Sequence, residues 1–289
     1  MRPEDIGWTP QALGRDAPDV RVRWLGTAGF AIEHAGHVLL IDPYLTRASL
    51  ARCVVAPLRS DVALLRRYVP KADAVVVGHT HFDHALDVPD LALMTGARVF
   101  GSRSASALCL ARGVPEGRVE IVERAAGSAP VERESGPFRL RFLPSAHAPL
   151  VLGRVPFAGD IADCGDVPMR AEAYKCGAVF GLEIRVAGRT LYHLGSAELV
   201  EASVDVKNVD LLLLCVAGWT TSRQLPERAG ARIAPGAVLL SHWDDFLRSM
   251  ERPARMLPAM QMPRLVERLG RSVGGVKVGT VPILGEVWL

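Results

Sequence analysis

Three histidines and one aspartate lie close together in the first third of this chain, at His79, His81, Asp83 and His84. Imidazole nitrogens and carboxylate oxygens are donors that Zn, Mn and Fe accept in proteins. Side chains two apart in an extended segment point to the same side, so His79 and His81 can reach one ion together. Asp83 and His84 then fall beyond a turn and can bind a second ion.

The alternative is a polar loop that happens to hold three of the eight histidines of the chain. Unpaired buried imidazoles at that density would cost free energy. The segment therefore predicts a metal site.

Strands and helices are predicted on both sides of this segment, in the mixture typical of an α/β fold. The β-branched run from Ala74 to Val77 predicts a buried strand that ends directly before the motif. Ser60 is the predicted N-cap of a helix that ends at Tyr68. Further strands are predicted at 21–25, 30–34, 37–41, 138–143, 179–186, 190–194, 211–215 and 237–240, and further helices at 89–94, 104–112 and 264–269.

The chain has no internal repeat, which favours one domain over residues 1–289 with an N-terminal extension at 1–20. Only one long stretch, 145–177, lacks periodicity, and it is rich in Pro, Gly, Asp and Ala. A loop of that length in a globular domain is disordered or functional. We expect it to form a lid or wall over the active site.

Composition limits the classes of partner. The 34 basic and 31 acidic residues are interspersed and nearly cancel, and aromatic content is 6%, so nucleic acid is not an expected partner. No apolar run approaches the roughly 20 residues needed to span a bilayer. A small-molecule substrate is the expected partner, and the oligomeric state stays open.

The N-terminus lacks the apolar core of a signal peptide. The five cysteines are odd in number and form no CxxC pair, which is typical of reduced thiols in a cytoplasmic protein. They are Cys53, Cys109, Cys164, Cys176 and Cys215.

The motif at 79–84 resembles the His-x-His-x-Asp-His signature of the metallo-β-lactamase superfamily, which follows a buried strand. The resemblance implies an αββα sandwich, two facing mixed β-sheets with helices outside. His147 and His242, isolated at predicted strand ends, match the next and last ligands of that family. It implies one ion held by His79, His81 and His147, and another held by Asp83, His84 and His242.

A branch within the superfamily is also suggested. The opening Trp24 to Phe30 and the Ile41-Asp42-Pro43 triplet look similar to the ascorbate-phosphate lactonase and phospholipase D-like branch.

One departure from the family pattern concerns the carboxylate that usually bridges both metals. The family places an aspartate after glycine at a strand end, whereas this chain has Ser196 after Gly195. A serine hydroxyl is a neutral, weak ligand, so the repulsion between two ions is less well offset. The outcomes are a looser two-metal site, a single ion, or replacement by Glu198 or Asp160. We expect two ions of unequal affinity.

Two ions would lower the pKa of a water between them, and the resulting hydroxide would attack a carbonyl or phosphoryl centre. We expect Asp83 to orient that water and accept its proton. This predicts a hydrolase acting on an ester, lactone, amide or phosphodiester, with zinc as the expected metal and manganese or iron as alternatives. An iron oxidoreductase and a binding or regulatory protein with a degenerate site are the competing classes.

Two aspartates could support the ligands, and each also has a purely structural interpretation. Asp42 can orient a ligand imidazole or stabilise a turn. Asp244 can orient a ligand imidazole or begin a helix. His193 is expected to be a core histidine. Candidate residues of a substrate pocket are Phe82, Tyr174, Cys215, Trp219, Thr220 and Trp243, with Arg154, Arg170 and Lys175 available to a phosphate.

Overall fold

The strands form two seven-stranded sheets. The structure is a computed structural model that describes residues 3–8, 19–124, 129–150, 152–162 and 167–289. The first sheet contains β1 Arg21–Gly26, β2 Gly29–His34, β3 His37–Ile41, β4 Ala74–Val76, β5 Arg98–Gly101, β6 Val119–Ile121 and β14 Glu286–Trp288. The second contains β7 Val131–Ser135, β8 Phe138–Pro144, β9 Phe180–Val186, β10 Arg189–Leu194, β11 Leu211–Cys215, β12 Ala237–Ser241 and β13 Lys277–Gly279.

Both sheets are mixed, with orders β14-β1-β2-β3-β4-β5-β6 and β13-β12-β11-β10-β9-β8-β7. In the first, β1 to β3 pair antiparallel and β3 to β6 pair parallel. In the second, β7 to β10 pair antiparallel and β10 to β13 pair parallel.

Helices cover the outer faces of the sheets. They are α1 Leu50–Val55, α2 Val62–Tyr68, α3 Phe82–Ala85, α4 Val88–Thr95, α5 Arg103–Ala111, α6 Leu225–Ile233 and α7 Met262–Ser272. Leu65 of α2 and Leu91 of α4 share a core cluster with Val75 of the first sheet, while Leu265 of α7 belongs to the cluster that contains β11. The predicted αββα sandwich is confirmed.

Alternation along the strands explains why the first sheet can be covered on both faces. Phe30 and Ile32 of β2 join the cluster between the sheets, whereas Ala31 joins the cluster under the helices. Successive strand residues point to opposite faces, so a fully apolar strand buries both.

The local predictions differ from the structure in several places, and strands β5, β6, β7, β13 and β14 are absent from them. The helix predicted to begin after Ser60 has Asp61 as its N-cap instead, and the Asp61 carboxylate accepts the Leu64 N–H at 3.0 Å. Ser60 Oγ donates to Leu86 O at 3.1 Å. Helices α1, α3 and α6 are also absent from the predictions.

The long loop contains, in the parts described, one 3-10 turn at Ala171–Ala173. Within the described N-terminal residues, Trp8 is buried and its N–H donates to Thr280 O at 2.6 Å. The four described cysteines are free and buried, and Cys164 lies outside the described residues. Among the helices of the described ranges, none has both the length and the apolar character needed to cross a membrane.

A buried ion pair ties the edges of the two sheets together. Arg47, which follows β3, pairs with Asp244, which follows β12, and both side chains are almost fully buried. The Asp244 carboxylate also accepts the N–H of Thr27 in the β1–β2 turn at 3.1 Å. Thr27 O in turn accepts the His242 N–H at 2.8 Å. The pair therefore fixes the backbone on which His242 stands.

We expect Arg47→Met to lower the free energy of unfolding by about 3–5 kcal/mol, because it leaves a buried carboxylate uncompensated. The matched control is Arg67→Met, which removes the exposed pair with Glu251 and should cost less than about 1 kcal/mol. Urea unfolding of both variants measures the difference. Equal losses would contradict the assigned role of the buried pair.

Candidate metal centre

The carboxyl ends of strands from both sheets meet at one edge of the sandwich. His79 and His81 follow β4, His147 follows β8, and His242 follows β12. Helix α3 carries Asp83 and His84. Strands that run in the same direction end at the same edge of a sheet, which is where ligand sites of α/β folds usually form.

The six predicted ligands fall into two groups. The donor atoms of His79, His81 and His147 lie within 4.8 Å of one another. His79 Nε2 is 3.1 Å from His81 Nδ1. Two imidazole nitrogens this close would be expected to share one proton or one metal ion.

The second group contains Asp83, His84 and His242, again with donor atoms within 4.8 Å of one another. Asp83 Oδ2 lies 3.2 Å from His242 Nε2 and 4.0 Å from His84 Nε2. A third group of Asp42, His79 and His84 has donor atoms equally close and shares one histidine with each of the other two groups.

Hydrogen bonds fix the tautomers of two histidines. His81 Nε2–H donates to Pro156 O, and His147 Nδ1–H donates to Ala148 O, each at 2.8 Å. A carbonyl oxygen can only accept, so the other nitrogen of each neutral ring keeps its lone pair. Metal-binding histidines are usually oriented in this way.

Asp42 does the same for His84. Its Oδ2 accepts His84 Nδ1–H at 3.0 Å and its Oδ1 accepts the Gly78 N–H at 2.6 Å. The carboxylate is fully buried. A Cβ on Gly78 would lie 2.7 Å from Asp42 Oδ2, so only glycine permits this approach.

The protonation states suit a divalent ion. Burial and the neighbouring imidazoles lower the pKa of His79 well below its ordinary value, and burial lowers the pKa of His147 to about 4. Burial opposes ionisation of Asp83, but the imidazoles of His84 and His242 outweigh it and hold the Asp83 pKa well below its usual range. Burial opposes protonation of His84, but the carboxylates of Asp42 and Asp83 outweigh it and raise the His84 pKa. Metals bind neutral imidazoles and ionised carboxylates, so an ion in the second group would displace a proton from His84. The donor types of both groups fit a divalent ion.

Ser196, at the position of the usual bridging aspartate, lies at this edge. It is buried, lines the cavity described below, and its Oγ accepts the Ala148 N–H at 3.3 Å. Because Ala148 O holds the His147 ring, the serine also steadies the backbone that orients this histidine.

Neither alternative carboxylate takes its place. Glu198 accepts the Leu199 N–H and pairs with Arg228, each at 2.8 Å. Asp160 is exposed and accepts from Ser104 Oγ at 3.4 Å. Within the described residues, neither belongs to a group of potential metal ligands.

Asp244 has partners other than the imidazole considered from the sequence. Its carboxylate binds Thr27 N–H and Arg47, while His242 Nδ1 is buried without a hydrogen-bond partner in the described parts of the chain. His193 is a core histidine, since its buried ring donates through Nε2 to Ala28 O at 3.0 Å.

A cavity of about 200 Å³ opens beside the two groups. It is lined by His81, Phe82, Asp83, His84, His147, Leu150, Pro156, Phe157, Gly195, Ser196, Cys215, Ala217, His242 and Phe246. Burial raises the pKa of the Cys215 thiol far above its ordinary value, so this side chain forms a neutral part of the wall.

The sequence identified only part of this lining. Phe82 and Cys215 line the cavity, whereas Tyr174, Trp219, Thr220 and Trp243 do not. The two tryptophans are core residues. The indole N–H of Trp219 donates to Met260 O at 2.6 Å, and that of Trp243 donates to Thr280 Oγ1 at 2.7 Å.

Arg154, Arg170 and Lys175 are also outside the lining. Phe157 and Phe246 were missed, because one lies in the aperiodic loop and the other in a segment without a helix or strand pattern. The only signal for Phe246 was its position four residues after His242.

Comparison with known proteins agrees with this arrangement. Residues 37–266 match a family described as the beta-lactamase superfamily domain. A "UPF0173 metal-dependent hydrolase" from Anaeromyxobacter sp. (strain K) is 26% identical over 247 residues, which cover 83% of this chain and 80% of the relative.

Two solved structures share the fold. The metallo-beta-lactamase fold protein YhfI from Bacillus subtilis has a TM-score of 0.57 at 14% identity, covering 94% of this chain and all of that one (100%). CmlA, a diiron beta-hydroxylase from Streptomyces venezuelae, has a TM-score of 0.60 at 15% identity, covering 95% of this chain and 55% of that one. The chain therefore belongs to the beta-lactamase superfamily and is an enzyme of the metallo-β-lactamase fold.

Proposed function

We propose that this protein is a metal-dependent hydrolase that binds two divalent ions of unequal affinity. The carrying observation is that the six donors include two groups with no member in common, each with ligand atoms within 4.8 Å of one another. His79, His81 and His147 would hold one ion. Asp83, His84 and His242 would hold the other.

Bound ions would supply Lewis-acid activation of a water and stabilisation of the developing oxyanion. Asp83 is the residue that can move a proton, since its carboxylate is ionised and borders the cavity. It can orient a water through Oδ2 and accept its proton as the water attacks. The imidazoles held by Asp42, Pro156 and Ala148 keep their positions during this step.

The substrates that suit this chemistry are esters, lactones, amides and phosphodiesters. Zinc suits the nitrogen-rich donor set best, with manganese and iron as alternatives. We also propose a cytoplasmic location, for which the four free thiols of the described residues are the support.

A second candidate is a binding or regulatory protein with a degenerate site. It is favoured by one observation, the neutral Ser196 at the usual carboxylate position. Such a protein would retain metal but would not turn over substrate. For the iron oxidoreductase, the likeness to CmlA supports a shared fold and does not carry an activity.

We expect protein purified without chelator to contain up to two zinc or manganese ions per chain. The more weakly bound ion should be lost first on dilution. His79→Ala should remove the ion of the first group, because only two of its three histidines would remain to bind it. Ser196→Asp should tighten the weaker site, because a carboxylate offsets the repulsion between the ions. Elemental analysis measures the content.

The matched control is Ser49→Asp, which adds a carboxylate at an exposed N-cap where aspartate is equally suitable. It should leave metal content unchanged. No bound metal after reconstitution of the wild type would refute the proposal.

We expect the metal-loaded enzyme to hydrolyse at least one member of a panel of esters, lactones, amides and phosphodiesters. Asp83→Asn should lower kcat by about 100-fold or more, because the proton acceptor is lost. Asp61→Asn, at an exposed N-cap, is the control. Full metal content without turnover on the whole panel would favour the degenerate site.

We expect Asp42→Asn to weaken metal binding about 10- to 100-fold, since the anionic acceptor that orients His84 becomes neutral. Asp87→Asn is the control, because Asp87 is an equally buried carboxylate that binds the backbone N–H groups of Leu45 and Thr46 and no imidazole. It should lower stability and leave affinity unchanged. Competition with a chromophoric chelator measures the metal affinity of both variants. Similar losses of affinity in the two variants would contradict the role of Asp42.

A further inference from the structure

We propose that the substrate is small and that its part beside the scissile bond is uncharged and apolar. The inference rests on the proposed function, because it places the reacting group at the two donor groups. It adds the chemistry of the rest of the substrate, which the cavity wall determines.

Aromatic rings flank the donors on both sides. The Phe157 ring centroid lies 6.3 Å from that of His81 in the first group, and the Phe246 centroid lies 5.4 Å from that of His242 in the second. Phe82 packs against Phe246 at 6.2 Å. A group attached to the reacting centre would therefore contact ring faces and edges on either side.

Apart from Ser196 and the neutral thiol of Cys215, the remainder of the wall is also apolar. It includes Leu150, Pro156 and Ala217, and Leu150 packs closely over Gly218, where a Cβ would lie 2.0 Å from its Cδ2. At about 200 Å³ the cavity is smaller than the roughly 300–1,000 Å³ of pockets for drug-sized ligands. It can enclose a group of the size of one ring or a short acyl chain.

No lysine or arginine of the described ranges lines this cavity. Arg47, a buried cation near this edge, is already paired with Asp244. A carboxylate or phosphate on the substrate, other than the group that reacts, would lose hydration without gaining a partner. This argues against substrates that carry a second anionic group beside the scissile bond.

Phe157 is placed to select the substrate at the entrance. Its side chain is 42% exposed, yet its backbone is held, since Phe157 O accepts the Cys176 N–H at 2.9 Å. The preceding residue, Pro156, binds His81. The backbone thus places the ring beside the first donor group, where it is partly exposed to solvent.

Binding of hydroxamates to the zinc-loaded protein, measured by calorimetry, tests the inference without requiring turnover. Benzohydroxamate should bind about tenfold more tightly than acetohydroxamate, because part of its ring leaves water. 4-Carboxybenzohydroxamate should bind at least about tenfold more weakly than benzohydroxamate, because its carboxylate has no cation to pair with.

Variants of the wall distinguish the contribution of wall contacts to probe affinity from that of the donor groups. Phe157→Ala should weaken benzohydroxamate about fivefold and leave acetohydroxamate nearly unchanged, since only the ring contact is lost. Phe157→Arg should instead bind 4-carboxybenzohydroxamate more tightly than benzohydroxamate. Leu110→Ala, which truncates a similarly exposed leucine of α5, is the control and should change neither affinity.

Two failures are distinguishable. A protein that takes up no zinc and binds none of the three probes would refute the proposed function. A zinc-loaded protein that binds acetohydroxamate as tightly as benzohydroxamate, or that prefers the carboxylated probe before substitution, would overturn only the inference about the substrate.

Discussion

The buried carboxylate of Asp42 joins the first sheet to the candidate metal centre. It is fully buried at the end of β3, and a buried charge is tolerated only where hydrogen bonds compensate it. Its two described partners are Gly78 N–H and His84 Nδ1–H. Position 78 must therefore lack a Cβ, and His84 must keep its proton on Nδ1. The lone pair of His84 Nε2 is thereby directed to the second group of donors. One hydrogen-bonded charge thus connects strand, loop and donor.

The charge of the two groups differs, because Asp83 belongs to the second group and no bridging carboxylate is shared between them. The first group contains three imidazoles, each with a pKa lowered by burial, and it carries no anion. The second contains Asp83, and Asp42 adds a negative charge behind His84. A bridging carboxylate would have compensated both groups at once. With serine there, the compensation lies on one side, which is the physical basis of our proposal that the two ions bind with unequal affinity.

Much of the fold and of the donor set could be predicted from the sequence. The motif at 79–84 follows a β-branched strand, and isolated histidines at other strand ends must meet at the same edge. The helix start was misplaced by one residue because Ser60 and Asp61 are both good caps, and the structure uses Asp61.

The cavity wall was predicted poorly, for a physical reason. Phe157 and Phe246 lie in segments without helix or strand periodicity, and their positions depend on contacts between residues far apart in the chain. Aromatic residues chosen by proximity to the motif, such as Trp243, were core residues. The Trp243 and Trp24 rings pack with their centroids 5.2 Å apart and their planes tilted by 40°, within the core between the sheets. The same loop that supplies Phe157 to the wall supplies Pro156 O to His81. Because these two residues are adjacent, a shift of the loop would move both the wall and the acceptor that orients a proposed donor.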